Sequence, residues 1–273
     1  LFSCPTDILT LKWILGQSIL DPISGGRILI LCGPGGNGKT TAINVITQSF
    51  AGCTGTILSS IISDPKVKDL PQEAARSLAG CRLVVSSEVE FRGGVVNMHL
   101  FKLLTGNDLV SHPDFGRLQV RNSSTVIFGT NTEISEKKNP QWHSRAQMRR
   151  AVMLHMPVDA TSLPPQRLPS TQEELLSFAL ECATFCMESP TMPISPRTVL
   201  YTLFPGSVGQ LLTRVALDEE AGYVASLLGT QALAVAVGMK VDHLVALASE
   251  LSESALLRGR YGACVRGVVP VLS

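Results

Sequence analysis

A chain of 273 residues with 45% hydrophobic and 16% charged side chains is long enough for one large or two modest domains. That balance excludes a disordered polar chain, because enough apolar surface is available to offset the entropy of ordering. A formal net charge of +1 excludes a surface coated for nucleic acid, so such contact has to come from local loops, as in a channel.

Seven cysteines, an odd number without regular spacing, do not make a disulfide framework. They point to a soluble, intracellular protein in a reducing compartment. Cys32 and Cys81 sit at the ends of apolar strand runs and are expected to be buried. Cys182 and Cys186 lie one helical turn apart, where packing is preferred to metal binding because no second pair accompanies them. The sequence starts at Leu1 with no initiator Met and no signal peptide, so a longer protein is expected around it. The apolar stretch 221–238 is broken by Ser226, Gly229, Thr230 and Gln231. It reads as buried helix, and no membrane partner is expected.

Taken in order, residues 6–20 show helical spacing, with Ile8, Leu9, Leu11, Ile14, Leu15 and Ile19 on one face. Thr6 or Asp7 is the expected cap and Trp13 is expected to pack there. This N-terminal segment, residues 1–24, ends where Asp21-Pro22 and Gly25-Gly26 break the helix. Residues 27–32 then read as a buried strand, and a helix begins at Thr41 with Ala42, Ile43, Val45 and Ile46 as its packing face. Between the two stands Gly33-Pro34-Gly35-Gly36-Asn37-Gly38-Lys39-Thr40, which fits the phosphate-loop pattern G-x-x-x-x-G-K-[ST]. Its glycines let backbone N–H groups surround a polyphosphate, and the next helix presents its positive end to the same anion. Lys39 is expected to reach the β- and γ-phosphates of ATP, and the Thr40 hydroxyl to hold Mg²⁺. Thr41 completes the nucleotide-binding set.

Gly52 to Gly55 reads as a turn, 56–59 as a short strand, 61–70 as a polar loop, and 72–78 as a helix ending at Gly80. Residues 81–90 form an apolar strand ending in acid, the partner a phosphate loop requires. Glu88, with Glu90 beside it, is the candidate to polarise the attacking water and to approach Mg²⁺. The alternative is a surface carboxylate at a strand end. A third strand, 125–130, ends at Asn131, whose amide suits contact with both water and γ-phosphate, or simply a turn. Residues 118–121 alternate as one arm of a hairpin does. Its tip carries Phe115 and Arg117, suited to stacking on bases and holding phosphates, although Phe115 packed inward fits equally. Arg149 and Arg150 precede a last apolar run, 151–156, ending at Pro157. They read as an arginine finger or as a solvated basic helix end.

The order Gly33–Thr40, Ser87-Glu88, Lys102-x-x-Thr105-Gly106-Asn107-Asp108, Thr130-Asn131 and Arg149-Arg150 before Pro157 resembles the superfamily 3 helicases. Within them it is most similar to the primase–helicase branch of poxviruses and other large DNA viruses, phages and plasmids. The resemblance spans roughly residues 6 to 158. It implies an α/β, AAA+-like P-loop NTPase core over residues 25–160, with a central parallel sheet flanked by helices. It implies a homohexameric ring that hydrolyses ATP with Mg²⁺ between subunits and moves on single-stranded DNA, RNA being left open. A primase domain in the same longer chain is a further implication. By position, Lys39 and Thr40 hold phosphate and Mg²⁺, Glu88 polarises water and Asn131 is the sensor. Arg149 or Arg150 acts in trans, with Arg145 an outside candidate, and Lys102 to Arg117 form the pore element.

Residues 161–273 read as a small, mostly helical C-terminal region. After Pro164, Pro165 and Pro169, Ser170-x-x-Glu173 reads as a capping box for a helix reaching about Met187. Further helices are expected at 208–217, 219–237 and 241–257, a region that can carry a winged-helix module in relatives. Arg258, Arg260 and Arg266 form either a solvated tail or a nucleic-acid contact. Two rival functions remain: a kinase-like P-loop phosphotransferase, and a scaffold for assembly or packaging that ATP switches.

Overall fold

The computed structural model describes residues 2, 5–21, 26–106, 109–111, 114, 119–132, 134, 138–139, 151–157 and 167–193. These fall in one compact unit, Leu1–Pro193. The helices expected beyond residue 194 and the arginines at 258, 260 and 266 lie outside the described residues.

Five parallel strands form the centre: β1 (Arg27–Cys32), β2 (Thr54–Thr56), β3 (Leu83–Ser86), β6 (Thr125–Thr130) and β7 (Ala151–His155), in the order β2-β3-β6-β1-β7. A parallel sheet is covered on both faces, so its strands read as unbroken apolar runs, as Ile28-Leu29-Ile30-Leu31 does. All four side chains are at most 1% exposed. Register puts Cys32 level with Thr130 on one side and His155 on the other, while Ser86 is level with Phe128. The carboxyl ends of β1, β3 and β6 therefore open onto the same edge, where parallel α/β sheets bind their ligands.

Alternate residues of β6 serve opposite faces. Phe128 meets Phe91 and Phe101 with ring centroids 5.9 and 6.2 Å away. Phe101 belongs to α5 (Met98–Leu104), a helix the sequence reading did not delimit. Asn97 starts it by accepting from the Leu100 N–H, while its Nδ2 donates to the Asp64 and Val67 carbonyls. On the other face, Gly129 lies beneath Ile43 and Lys39 of α2 (Lys39–Ser49). The strands β4 (Leu109–Ser111) and β5 (Gln119–Arg121) pair as the antiparallel hairpin expected. Of its connecting residues 112–118, only Asp114 is described, and it pairs with Arg76 at 3.0 Å.

Helix α1 (Pro5–Leu20) packs along α6 (Gln172–Glu188). Trp13 Nε1 donates to the Ser189 carbonyl at 2.9 Å, Thr10 Oγ1 donates to that of Pro193, and Lys12 pairs with Glu181. Gly16 lies directly against the Cys182 carbonyl and Cys186 Cβ. Cys182 is fully buried there, and burial pushes its thiol up to about 12. Such a thiol behaves as a packing side chain.

Several local expectations need correction. Pro5 opens α1, so Thr6 and Asp7 sit within its first turn and neither is the cap. Ile8 and Leu9 are exposed, because α6 covers the side that carries Thr10 and Trp13. β2 begins at Thr54, inside the expected turn, since its pairing with Leu83 decides the register. Residues 59–63 form a short helix, α3 (Ser59–Ser63), that buries Ile62 where a polar loop was expected; α4 (Gln72–Gly80) ends as foreseen. Cys81 is only half-buried, since it precedes the pairing of β3. The capping box of α6 is Thr171 with Glu174, one residue beyond the Ser170–Glu173 reading. Glu174 wins because its carboxylate also accepts from the Ser170 N–H and from Arg167. No helix among the described residues is long and apolar enough to cross a membrane.

Candidate nucleotide site

The phosphate loop leaves β1 at Gly33 and enters α2 at Lys39. Three of its glycines, Gly33, Gly36 and Gly38, have positive φ. Gly33 has φ 152°, and a Cβ there would fall on the Met156 carbonyl and the Asn37 amide. Gly38, with φ 82°, turns the chain into α2 without a side-chain cap, leaving the first N–H groups of the helix to the loop.

Lys39 is 6% exposed and donates to the Gly33 carbonyl at 2.8 Å, the Pro34 carbonyl at 2.7 Å and Asn37 Oδ1 at 2.8 Å. Burial holds its ammonium pKa below the ordinary lysine value, while Cys32 and Glu88 push the other way. A cation partly stripped of water attracts phosphate more strongly than one in bulk solvent.

A cavity of about 390 Å³ opens above the loop, lined by Gly35, Gly36, Asn37, Gly38, Lys39, Thr40, Thr41, Ser87, Glu88 and Asn131. β3 delivers Glu88 and β6 delivers Asn131, and the Asn131 amide donates to Glu88 Oε1 at 2.6 Å. The missing side chain at Gly129 lets these elements close up, since a Cβ would meet the Ser87 carbonyl at 3.0 Å. Beyond β3, the Val89 N–H donates to the Gly129 carbonyl at 2.8 Å and holds the Glu88 segment against β6.

Six of the eight loop residues, Thr41, Glu88 and Asn131 thus meet in one cavity. Gly33 and Pro34 do not line it; their carbonyls accept from Lys39 Nζ. Glu90 does not line the cavity; its backbone N–H donates to Ser63 Oγ at 3.2 Å. Lys102 is exposed on α5 and is also not a lining residue. Phe115, Arg117, Asn107, Asp108, Arg145, Arg149 and Arg150 lie outside the described residues. Ser87 lines the cavity, although the sequence marked it only as the neighbour of Glu88. The Asn37 bridge to the Met156 carbonyl joins positions 119 residues apart, and no local pattern signals it.

Anion-binding N–H groups and one ammonium face a carboxylate and an amide across this cavity. The arrangement can hold a polyphosphate and aim a water at its outer end. Thr40 and Glu88 present oxygen donors, the chemistry Mg²⁺ prefers. Among the described residues, no group of three or more His, Cys, Asp or Glu is placed to hold a metal. An ion at Thr40 and Glu88 therefore needs phosphate oxygens to complete its shell, which is how Mg²⁺ binds with nucleotides.

A parallel five-stranded sheet flanked by helices, with the phosphate loop between β1 and α2, is the P-loop NTPase-like α/β fold expected. No protein-family model and no curated protein sequence matches the chain. Among solved structures it is similar to the apo A form of the NrS-1 C-terminal region, at 13% identity and TM-score 0.42, covering 89% of this chain and 57% of that one. It is also similar to SCCmec type IV Cch, an active helicase, at 13% identity and TM-score 0.33, covering 97% of this chain and 43% of that one. A third, NtrX from Brucella abortus in complex with ATP, gives 15% identity and TM-score 0.34, covering 92% of this chain and 69% of that one. The chain thus spans less than two thirds of the first two proteins to which it is similar.

Proposed function

We propose that this chain is the ATP-hydrolysing core of a ring helicase or translocase acting in replication of a virus or mobile element, and that it moves on single-stranded nucleic acid. One observation carries the reading. Glu88 and Asn131 face the Lys39 loop across a single cavity, and Lys39 is the one cation among its described lining residues.

In this scheme Lys39 leaves the loop carbonyls for the β- and γ-phosphate oxygens of ATP. Glu88 accepts a proton from water as the water attacks the γ-phosphorus in line. The bond from that phosphorus to the β–γ bridging oxygen breaks, and ADP departs. Asn131 holds the water and the γ-phosphate in register. Thr40 and Glu88 would hold Mg²⁺, which when bound would supply positive charge to the phosphates. A lone ammonium leaves the transition state under-compensated. The reading supplies the second cation from a neighbouring subunit, as Arg149 or Arg150. The hexamer, the strand grip by Lys102, Phe115 and Arg117, and an attached primase domain belong to the same proposal.

The test mixes two inactive proteins. Glu88→Gln removes the base, and Arg149→Ala with Arg150→Ala removes the finger. Random mixing in equal amounts leaves about a quarter of the interfaces with both parts intact, so partial ATPase activity should return. An absence of any recovery in co-assembled rings counts against a finger in trans. A kinase-like phosphotransferase would instead work as a monomer. A scaffold would assemble with nucleotide yet show no turnover stimulated by a strand.

A further inference from the structure

The phosphate loop holds a side-chain bridge that the proposed chemistry does not use. Asn37 is 1% exposed, and both ends of its amide are occupied. Oδ1 accepts from Lys39 Nζ at 2.8 Å, and Nδ2 donates to the Met156 carbonyl. Met156 directly follows β7, and its own N–H donates to the Cys32 carbonyl at 2.8 Å. The loop keeps Gly33 clear for this purpose, since any Cβ there would displace both the amide and the carbonyl. One buried side chain therefore spans from the phosphate-seeking lysine to the exit of an edge strand.

All three acceptors that hold Lys39 are the loop's own: the Gly33 and Pro34 carbonyls and Asn37 Oδ1. Phosphate oxygens compete for the same three donor hydrogens. Once Lys39 turns to phosphate, Asn37 Oδ1 is a buried acceptor without its donor, an unfavourable state that the amide relieves by rotating. Rotation takes Nδ2 away from the Met156 carbonyl, and that oxygen in turn loses its partner. We infer that Asn37 is a positioning residue that passes phosphate occupancy from Lys39 to the end of β7. At its other end, that strand follows directly on Arg149-Arg150. The inference rests on reading the loop as an ATP site, and it adds a route by which a filled site alters the strand beside the candidate finger.

The experiment uses the 273-residue chain with Mg²⁺ and a non-hydrolysable ATP analogue. It measures affinity by calorimetry and amide hydrogen exchange of the peptide covering residues 151–157. The parent should bind the analogue and change its exchange over 151–157. Asn37→Ala removes a residue that lines the cavity and holds Lys39, so its exchange is read at saturating analogue, where any loss of affinity is offset by concentration. The same variant should lose the exchange change. Asn37→Asp puts a carboxylate beside Lys39 and opposite the Met156 carbonyl, and should weaken binding by more than about tenfold. Asn37→Ser, too short to reach both partners, serves if either variant fails to fold and should behave as Asn37→Ala does. The inference is overturned if Asn37→Ala or Asn37→Ser transmits the full exchange change. It is equally overturned if Asn37→Asp binds as tightly as the parent, or if the parent binds with no change at 151–157. A parent that binds no nucleotide at all sinks the ATP-site reading instead.

Discussion

Lys39→Ala is expected to lower ATP turnover by at least about a thousandfold, the scale of removing a preorganised charge from a phosphoryl-transfer site. The reason lies in where the ammonium sits. It is the one cation among the described lining residues, and it is already partly desolvated within the loop. Its removal takes the donor from the Gly33 and Pro34 carbonyls and from Asn37 Oδ1. The two carbonyl bonds are part-buried and water can replace the donor there, whereas Asn37 Oδ1 is buried and left unpaired, so the cost in stability is about 1–3 kcal/mol. Phosphate-release assays paired with thermal unfolding separate the two effects. Turnover near the parent rate in a folded Lys39→Ala protein contradicts the assignment.

The largest effect expected on stability comes from a position remote from the chemistry. Gly16 is inside α1, where Ala would ordinarily add roughly 0.5–1 kcal/mol through helix propensity. Here a Cβ would fall on the Cys182 carbonyl and come within 2.7 Å of Cys186 Cβ. The first neighbour is helix backbone, which yields only if α1 and α6 move apart. That separation strains the Trp13–Ser189 and Thr10–Pro193 hydrogen bonds as well. Gly16→Ala should therefore destabilise the chain by about 2–3 kcal/mol, or roughly 5–10 °C in Tm. Urea unfolding of the two proteins checks it, and a Gly16→Ala protein as stable as the parent would show that the two helices do not pack this closely.

What the sequence disclosed depended on whether the determining contacts were local. The phosphate loop was readable because every feature of it lies within eight consecutive residues. β1, β6 and β7 were readable because strands buried on both faces are continuous apolar runs. Glu88 and Asn131 were found as strand-end polar residues, yet their shared cavity depends on β6 lying between β1 and β3, an order no periodicity reveals. Glu90 stood beside Glu88 in the sequence as an accompanying acid. The turn after β3 sends its backbone toward Ser63 instead. The α6 cap slipped by one residue because Ser170 and Thr171 each precede a glutamate by three positions, and only the wider contacts of Glu174 choose between them. The Asn37–Met156 bridge and the close approach at Gly16 both join residues more than a hundred positions apart, and a single sequence carries no trace of either.

Under the proposed function, the Lys39 cradle hydrolyses ATP only when a second copy of the chain completes it. The specific ATPase rate, measured against protein concentration with a single-stranded oligonucleotide present and particle mass followed in parallel, tests that claim most directly. The rate per chain should rise steeply with concentration as rings form, and rise further with the strand. A constant rate per chain in particles of monomer mass, unaffected by oligonucleotide, would contradict it.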